Sequence, residues 1–384
     1  MMKIGIVVGF APPEFGAAVM RTLSFAKYFK ERGNDAIIFA PDRAGKYRQY
    51  YEGIKIVRYR GFWHLLNIFR NHKLDIVVAS TPPSTITFPS VLACKILGIP
   101  VIVDIRDPWS YAEASLGIVS TKIAYKKKYF IEKFSYKYAD KLFVVSPYLR
   151  NMISSNFNIS LQKFSIVMNG TELDKFRRVE DEGAKVRDAL GIPQENPVII
   201  YTGILGGKEL DKFLESCGKE IVEKFDCHIL FAVILDRWSQ PIAKDLRSIV
   251  EKSGFQENFH MVGPIHASEM YKYLSASDIG INPLPEGIDY CFPVKTFDYL
   301  ACEIPIACKA PKDGALHRFM QEYDVGFFTD SWFDFKEKLL DVLDDLNAFK
   351  EKGIYGKKIV KEKFTREKAN EIALKEIHKL LGGN

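Results

Sequence analysis

A cation, a carboxylate and a hydroxyl fall on one face of a short predicted helix. Lys295, Asp298 and Tyr299 stand at positions i, i+3 and i+4, and this spacing brings helical side chains together. The free N–H groups and the dipole at the start of such a helix favour an anion. A carboxylate one turn further on could accept hydrogen bonds from both hydroxyls of a ribose. The pattern indicates a nucleotide site, and its alternative is a solvated helix face with an ordinary Lys–Asp pair.

The helix lies within a strand–loop–helix–strand pattern that spans residues 276–308. Apolar residues at 279–281 predict a buried strand, and a loop rich in Pro and Gly follows. Pro293 stands where the helix should begin, a position at which the missing N–H has no partner to lose. Apolar residues then recur at helical spacing over 294–301, and 304–307 predict the next buried strand. The pattern therefore aims the start of the helix at the loop.

The same stretch resembles the GT-B glycosyltransferases of family 4, whose members often have the motif P-x-K-x-x-E-Y-x-A-x-G-x-P-[IV] here. This chain has PVKTFDYLACEIPI at 293–306. The resemblance implies that Lys295, Thr296 and Asp298 bind a nucleotide-sugar donor. Asp298 takes the place of the family's ribose-binding Glu, one methylene shorter but still able to accept two hydrogen bonds.

The chain departs from this motif at two positions. Glu303 replaces the Gly that follows the helix in the family, which affects how tight that turn can be. Many members also carry a Glu eight residues before the second one, and Tyr290 occupies that place. Glu286 and Asp289 lie near it but off register. We still count Tyr290 among the expected donor-binding residues.

Four further stretches resemble family motifs and follow one another in the family's order. Residues 197–208 resemble G-R-L-x-x-x-K-G, in which Gly203 and Lys208 match while Ile204 replaces the Arg. The resemblance implies that Gly203 and Lys208 lie at the donor. Lys208 and Lys295 would then act in catalysis by neutralising the diphosphate leaving group. The other stretches are 100–109, 140–146 and 166–176.

Charged side chains follow a predicted strand in the first half of the chain. Residues 100–109 read PVIVDIRDPW, and charges at the end of a buried strand are costly unless they pair or act. Ligands of open α/β sheets bind at this edge. A subset of the family has Arg-Asp followed by Trp here, which implies that Arg106 and Asp107 are catalytic and that Arg106 and Trp109 lie on the acceptor side. A structural Arg–Asp pair that holds the loop is the alternative.

A loop with a glycine follows the first predicted strand. A strand at 4–8, a helix at 17–30 and a strand at 36–40 are typical of a parallel doubly wound sheet. The loop lacks the G-x-G-x-x-G dinucleotide motif, so a nicotinamide cofactor is not favoured. Gly16 and Ala17 stand where the family often has Gly-Gly. The resemblance implies that the backbone here approaches the donor phosphate and the acceptor, and a simple turn is the alternative.

We therefore expect an α/β protein of GT-B architecture, with two Rossmann-like doubly wound domains that face each other across a cleft. A chain of 384 residues suits two domains of ordinary size, each able to bury a core. We expect an acceptor-binding domain at 1–176, a charged linker at 177–190 and a nucleotide-sugar-binding domain at 191–364. The C-terminal helix, 365–384, should cross back to the first domain.

Charge is distributed unequally along the chain, although the net charge is only +6. Residues 1–178 contain 27 Lys and Arg against 13 Asp and Glu, whereas the remainder contains 27 against 35. The first half should therefore meet anionic partners. Residues 120–141 predict an amphipathic helix with seven lysines. It either packs on the core with a solvated lysine face or contacts anionic lipid; no nucleic-acid-binding module accompanies the charge.

Sequence features also suggest where the protein works and what it needs. No run of about 18 uncharged apolar residues exists, the N-terminus shows no signal peptide, and the six cysteines lack C-x-x-C spacing. We expect a cytoplasmic protein that can lie at the inner face of the cell membrane. The chain has no Asp-x-Asp and its histidines show no ligand spacing, so neither a metal nor another cofactor is expected.

The resemblance implies transfer of a sugar from a UDP- or GDP-sugar to an acceptor hydroxyl, with retention at the anomeric carbon. The acceptor would be a sugar or a lipid-linked saccharide, as in polysaccharide or glycolipid synthesis. One alternative keeps the fold but changes the reaction to nucleotide-sugar epimerisation. Another is a nucleotide-sugar-binding protein with little or no turnover, because the motif Arg and the upstream Glu are missing.

Overall fold

The chain folds into two compact units. The computed structural model describes residues 1–14, 16–43, 49–111, 121–206, 208–234 and 239–382. The first unit consists of Met1–Asn169 together with Arg366–Asn384, and the second consists of Gly170–Thr365. Each unit contains one sheet, with eight strands in the first and six in the second, and helices between the strands. The predicted α/β class with two Rossmann-like sheets is confirmed.

The sheet of the first unit has the order β3-β4-β2-β1-β5-β6-β7-β8. All neighbours are parallel except β3, which is antiparallel to β4. The strands are β1 (Lys3–Val7), β2 (Asp35–Pro41), β3 (Tyr50–Tyr51), β4 (Ile54–Tyr59), β5 (Ile76–Thr81), β6 (Val101–Ile105), β7 (Lys141–Val144) and β8 (Phe164–Ile166). The helices are α1 (Ala17–Glu31), α2 (Gly61–His72), α3 (Ser84–Leu97), α4 (Lys122–Tyr138), α5 (Pro147–Phe157) and α15 (Arg366–Leu380).

The strand order fixes which helices share a face of this sheet. Steps from β4 to β5, β6, β7 and β8 all move in one direction, whereas the step from β1 to β2 moves in the other. Because parallel crossovers are right-handed, α2 to α5 cover one face and α1 covers the opposite face. Helix α15 joins α1 there: Asn370 Nδ2 donates to Ser24 Oγ at 2.7 Å, and Ala373 and Ile377 are fully buried in the same core as Phe25.

The sheet of the second unit is entirely parallel, in the order β11-β10-β9-β12-β13-β14. Its strands are β9 (Val198–Ile204), β10 (His228–Ile234), β11 (Phe259–Val262), β12 (Ile279–Pro283), β13 (Ile306–Lys309) and β14 (Gly326–Thr329). Its helices are α6 (Glu180–Leu190), α7 (Glu209–Phe213), α8 (Lys219–Phe225), α9 (Gln240–Ser253), α10 (Met270–Ser275), α11 (Lys295–Ala301), α12 (Ala315–Tyr323), α13 (Trp332–Asp344) and α14 (Leu346–Lys363). A π-helical turn at Leu214–Gly218 joins α7 to α8.

The expected linker at 177–190 is instead part of the second unit. Helix α6 occupies most of it, and Gly183 packs so closely on α10 that an added Cβ would lie 2.5 Å from the Ser275 carbonyl oxygen. Arg187 is buried and bonds Asp278 at 2.8 Å as well as three carbonyl oxygens at the end of the helix. The charges that suggested a linker therefore belong to a packed helix, and the units divide at 169/170 rather than at 176.

No helix among the described residues combines the length and the apolar character that a membrane span requires.

Candidate functional site

Most of the predicted donor residues lie near the carboxyl edge of the second sheet. Strands β9 and β12 are neighbours there, and α11 begins with Lys295 after the loop that follows β12. Ligands of open parallel sheets bind outside the carboxyl ends of the strands. The fold therefore brings the loop after β9, the end of β12 and the first turn of α11 to one place.

Lys295 occupies the centre of this group. Its Nζ lies 3.5 Å from the centroid of the Tyr201 ring, a cation–π geometry. Removal from water lowers the pKa of Lys295 to about 7, and Cys291 opposes this only in part. Among the described residues Lys295 forms no ion pair. An anion that reached this ammonium group would supply the missing counter-charge.

Gly203 gives Lys295 access to the strand end. Its φ of 122° is a backbone conformation that residues with a Cβ rarely adopt. A Cβ built there would lie 3.6 Å from Lys295 Nζ. The motif glycine thus leaves its backbone open beside the ammonium group, as expected for close approach of a phosphate.

Tyr299 does not present its hydroxyl at the site, although its spacing suggested that it would. It is fully buried, and its hydroxyl accepts a hydrogen bond from Thr202 N at 2.9 Å. Burial raises its pKa. The ring covers Gly280 of β12, where a Cβ would lie 2.4 Å from it. Tyr299 therefore positions α11 against β9 and β12 and does not itself meet a ligand.

Thr296 is likewise covered. Its side chain is buried, and its hydroxyl oxygen accepts a hydrogen bond from Asn282 Nδ2 at 3.0 Å. Asn282, at the end of β12, was not singled out from the sequence. Its Oδ1 is buried without a hydrogen-bond partner among the described residues. The amide oxygen of Asn282 therefore keeps bonding capacity at this point.

Asp298 lies about one turn further along α11 than Lys295 and is partly exposed. Its Oδ1 accepts a hydrogen bond from Thr171 Oγ1 at 2.6 Å. Thr171 is the second residue of the second unit and forms a parallel bridge with Thr365, the residue that ends it. The carboxylate that we expect to bind ribose is thus oriented by the segment through which the chain enters and leaves this unit.

Helix α7 begins at Glu209, and Lys208 directly precedes it. Lys208 is exposed, whereas Glu209 is buried and accepts bonds from Lys309 Nζ at 3.2 Å and from Trp332 Nε1 at 3.1 Å. Sequence analysis missed this buried ion pair, because nothing in the spacing links the two positions. Ile204, in the place of the motif Arg, is 65% exposed. Lys208 is therefore an accessible cation in this loop, and Ile204 adds an apolar surface.

Tyr290 does not fit its expected role. Its side chain is only 3% exposed, so it is covered rather than presented at the open edge. The neighbouring Asp289 accepts a backbone hydrogen bond from Ala315 N at 2.7 Å. This hydrogen bond holds the segment against the first residue of α12.

The predicted acceptor-side residues lie at the carboxyl edge of the first sheet. Arg106 follows β6 and donates to Pro82 O at 2.8 Å and to Ser80 Oγ at 3.3 Å. Ser80 in turn donates to Asp104 at 3.1 Å, and Asp104 is held by a buried pair with Arg21 at 2.7 Å. Burial lowers the pKa of Arg106. A chain of hydrogen bonds therefore fixes the guanidinium group.

Asp107 and Trp109 extend this edge. Burial raises the pKa of Asp107, and Arg106 opposes that change. Within the described residues the two side chains form no ion pair, so the alternative of an Arg–Asp pair that holds the loop is not what the structure shows. Trp109 lies under a lysine, with Lys128 Nζ 5.5 Å from the centre of its ring.

Gly16 and Ala17 form the open start of α1. Both are exposed, and Gly16 has a φ of 148° with nothing within 4 Å of an added Cβ. The first turn of α1 contains no acidic residue. Space and free N–H groups are therefore present where the sequence predicted close backbone approach. The remainder of that loop includes residue 15, which lies outside the described residues.

The described residues contain no group of three or more His, Cys, Asp or Glu arranged to hold a metal ion.

Comparison with known proteins gives matches in sequence and in fold. Residues 18–175 match the model of the family described as Glycosyltransferase Family 4. An uncharacterized glycosyltransferase of Methanocaldococcus jannaschii is 25% identical over 271 residues, which are 68% of this chain and 62% of that protein. The match thus spans less than two thirds of the curated relative.

Solved structures match over the whole chain at low identity. Sucrose-phosphate synthase from Thermosynechococcus elongatus gives a TM-score of 0.80 at 13% identity and covers 100% of both chains. HepE from Anabaena, in complex with UDP and glucose, gives a TM-score of 0.76 at 14% identity and covers 99% of this chain and 100% of its own. The protein therefore has the GT-B fold. Together with the family match, this confirms the resemblance to family 4 glycosyltransferases that the sequence motifs predicted.

Proposed function

We propose that this protein is a glycosyltransferase that moves a sugar from a nucleoside diphosphate sugar to an acceptor hydroxyl. The observation that carries the proposal is the ammonium group of Lys295, which lacks a carboxylate partner among the described residues and lies beside Gly203 at the start of a helix. A cation in this setting suits a diphosphate. The family match supports the same class of reaction.

Five of the predicted residues have a role in the proposed reaction. The bond between the sugar and the diphosphate breaks, and Lys295 and Lys208 stabilise the departing charge. Asp298 accepts hydrogen bonds from the ribose of the donor. A new bond forms between the sugar and the acceptor oxygen, whose proton passes to a base. Asp107, with its raised pKa, is the candidate for that base, and Arg106 orients the acceptor.

The finer features of the reaction are part of the same proposal. We expect retention at the anomeric carbon and no need for a metal, because two lysines and a helix start can carry the leaving-group charge. UDP is the first donor nucleotide to test, since a structural match was solved with UDP and glucose, and GDP is the second. The acceptor is a sugar or a lipid-linked saccharide, which the basic first half of the chain favours.

A second candidate is a nucleotide-sugar-binding protein with little turnover. The exposed Ile204 favours it, because the family motif has an Arg at this position that would neutralise the leaving group. Epimerisation of the donor sugar is a third candidate, without a specific observation in its favour. Both retain nucleotide binding, so the measurement of transfer to an acceptor separates them from the main proposal.

A thermal-shift screen tests donor binding. We expect one of UDP, GDP, ADP or their sugars, at millimolar concentration, to raise Tm by several degrees, since ligand at about 100 Kd adds about 2.7 kcal/mol. Lys295→Met should lose this shift and Asp298→Ala should reduce it, whereas Lys361→Ala, at an exposed position of α14, should keep it. No shift with any nucleotide would contradict the proposal.

Product analysis then tests the reaction itself. Incubation of the selected donor with saccharide acceptors, with and without EDTA, should release nucleoside diphosphate together with an elongated acceptor of retained anomeric configuration. Binding without transfer or donor hydrolysis would support the second candidate. A changed sugar on an intact donor would support the epimerase, and loss of activity in EDTA would contradict the metal-free mechanism.

A further inference from the structure

The helices on one side of the first unit carry almost only positive charge. Helices α2, α3 and α5 contain no Asp or Glu, and α4 contains one, Glu132. Glu132 is buried and accepts hydrogen bonds from Ser110. These four helices share one face of the sheet and together contain nine Lys and Arg. Helices α1 and α15 on the opposite face mix both signs, so the asymmetry in charge belongs to one side of the unit.

Helix α4 adds exposed apolar side chains to this charge. Ile123 is 80% exposed and Phe130 is 65% exposed. They stand seven residues apart, which places them on one stripe of the helix. Tyr138 lies near the edge of the same stripe and is 46% exposed. A solvated lysine face does not require large apolar side chains in water, so the stripe calls for a partner.

Lysines flank the apolar stripe on both sides. At 100° per residue, Lys126, Lys133 and Lys137 lie on one side of Ile123 and Phe130, and Lys127 lies on the other. All four are exposed. The acid that follows the helix, Asp140, is paired with Lys95 at 2.8 Å. Cations that border an apolar stripe are typical of helices that lie in the plane of an anionic membrane surface.

A second exposed aromatic group lies at the same edge of the sheet. Trp63, in the first turn of α2, is 77% exposed. Helix α3 contacts both α2 and α4, and all three run back from the carboxyl edge of parallel strands, so their first turns lie at that edge. Tryptophan is favoured where one side of a ring meets lipid and the other meets water.

The charge pattern also decides between candidate partners. Two copies of this face would bring like charges together across a two-fold interface, which disfavours self-association. A lipid surface with anionic headgroups complements both the lysines and the apolar stripe. We propose that the α4 face, defined as Lys122, Ile123, Lys126, Lys127, Phe130, Lys133 and Lys137, binds the surface of an anionic membrane.

Cosedimentation of the full chain with vesicles tests the proposal. Binding to vesicles of 70% phosphatidylcholine and 30% phosphatidylglycerol at 0.1 M salt is the expected result. Binding should fall with phosphatidylcholine alone and at 0.5 M salt, since exposed charges are then screened. Equal recovery with both lipid mixtures, or no recovery with either, would overturn the proposal.

Two variants separate the lysines from the apolar stripe. Lys126→Glu/Lys133→Glu/Lys137→Glu should weaken binding about a hundredfold or more, because each lysine near the surface contributes about a fivefold factor. Ile123→Ser/Phe130→Ser should bind weakly at every anionic lipid content. Far-UV circular dichroism and Tm should match the wild type, because these side chains are exposed.

A matched control tests whether net charge alone explains the result. Lys358→Glu/Lys361→Glu/Lys375→Glu changes the charge by the same amount at exposed positions of α14 and α15 and should bind vesicles as the wild type does. An equal loss in this control would overturn the proposal. Salt-sensitive binding of single-stranded RNA without vesicle binding, or salt-sensitive oligomers in light scattering that the α4 variants abolish, would also overturn it in favour of another partner.

Discussion

Lys295 is the most sensitive probe of the proposed donor site, because burial lowers its pKa to about 7. Only its charged form attracts a diphosphate, and bound diphosphate would raise its pKa again. Between pH 7 and 9 we therefore expect the Kd for the selected nucleotide to rise by up to tenfold per pH unit. Isothermal titration calorimetry measures this, and Lys295→Met should bind weakly without that pH dependence. A wild-type Kd that stays constant over the range would contradict the assignment.

The same pKa affects stability in a direction that can be checked without a ligand. In the unfolded chain the pKa of a lysine is about 10.4, so between pH 7 and 10 the unfolded state binds more protons than the folded state. The contribution of Lys295 should therefore make the free energy of unfolding increase as pH rises. At pH 7 the Lys295→Met variant should be more stable than the wild type, and urea titrations should show the difference shrinking toward pH 10. A variant less stable at pH 7 would refute this.

Asp298 can be tested with one substitution that removes its carboxylate and another that lengthens its side chain by one methylene. Asp298→Ala should weaken nucleotide binding about ten- to a hundredfold, as expected for loss of hydrogen bonds to a charged group. Asp298→Glu restores the residue that the family motif has and should stay within several-fold of the wild type. Deoxyribose nucleotides provide the control, since they should bind the wild type weakly and distinguish the variants less. Equal binding by all three proteins would place the ribose elsewhere.

The sequence motif predicted that the expected donor residues share one short helix but not which of them are exposed. Lys295 and Asp298 are partly exposed at the sheet edge, whereas Thr296 and Tyr299 of the same helix are buried. Helical spacing shows which side chains share a face, but it does not show which face the strands will cover. The pairing of Thr171 with Asp298 joins residues 127 positions apart, and such a contact follows only from the tertiary fold.

At the scale of elements, the packing of α11 against the sheet depends on a glycine of the neighbouring strand β12. A Cβ at Gly280 would lie 2.4 Å from the Tyr299 ring, and this ring carries the hydroxyl that bonds Thr202. We expect Gly280→Ala to cost about 1–3 kcal/mol through overpacking and to weaken nucleotide binding as α11 shifts. Thermal unfolding measures the cost. Gly206→Ala is the control, because nothing lies within 4 Å of its added Cβ, and an equal cost there would contradict the argument.

Strands and helices were predictable where the apolar pattern was continuous, and α6 shows where that method failed. Its sequence is mostly charged, so composition suggested a linker. The fold buries Arg187 by giving its guanidinium group carbonyl and carboxylate partners. A buried charge that is fully bonded looks in the sequence like a solvated one, and only the partners distinguish the two.

At the scale of the whole molecule, the two units differ in charge. The excess of Lys and Arg lies within residues 1–178, and the structure gathers most of the helical part of it on one side of the first unit. Lys208, Lys295 and Asp298, to which we assign donor binding, belong to the second unit, where acidic residues outnumber basic ones. Composition alone indicated two roles, but the placement of the basic residues on α2 to α5 required the strand order.

The last helix offers a test of how the two units are stabilised. Ile377 of α15 is fully buried in the core of the first unit, although it follows the entire second unit in sequence. Ile377→Ala should lower the free energy of unfolding by about 2–5 kcal/mol. The loss of local stability should be greatest in α1 and α15. Hydrogen exchange should show faster exchange in these helices while nucleotide still protects α11. Ile372→Ala on the same helix is the control, because Ile372 is 42% exposed and its loss should change stability little. Equal loosening of α11 by Ile377→Ala would show instead that the two units unfold as one.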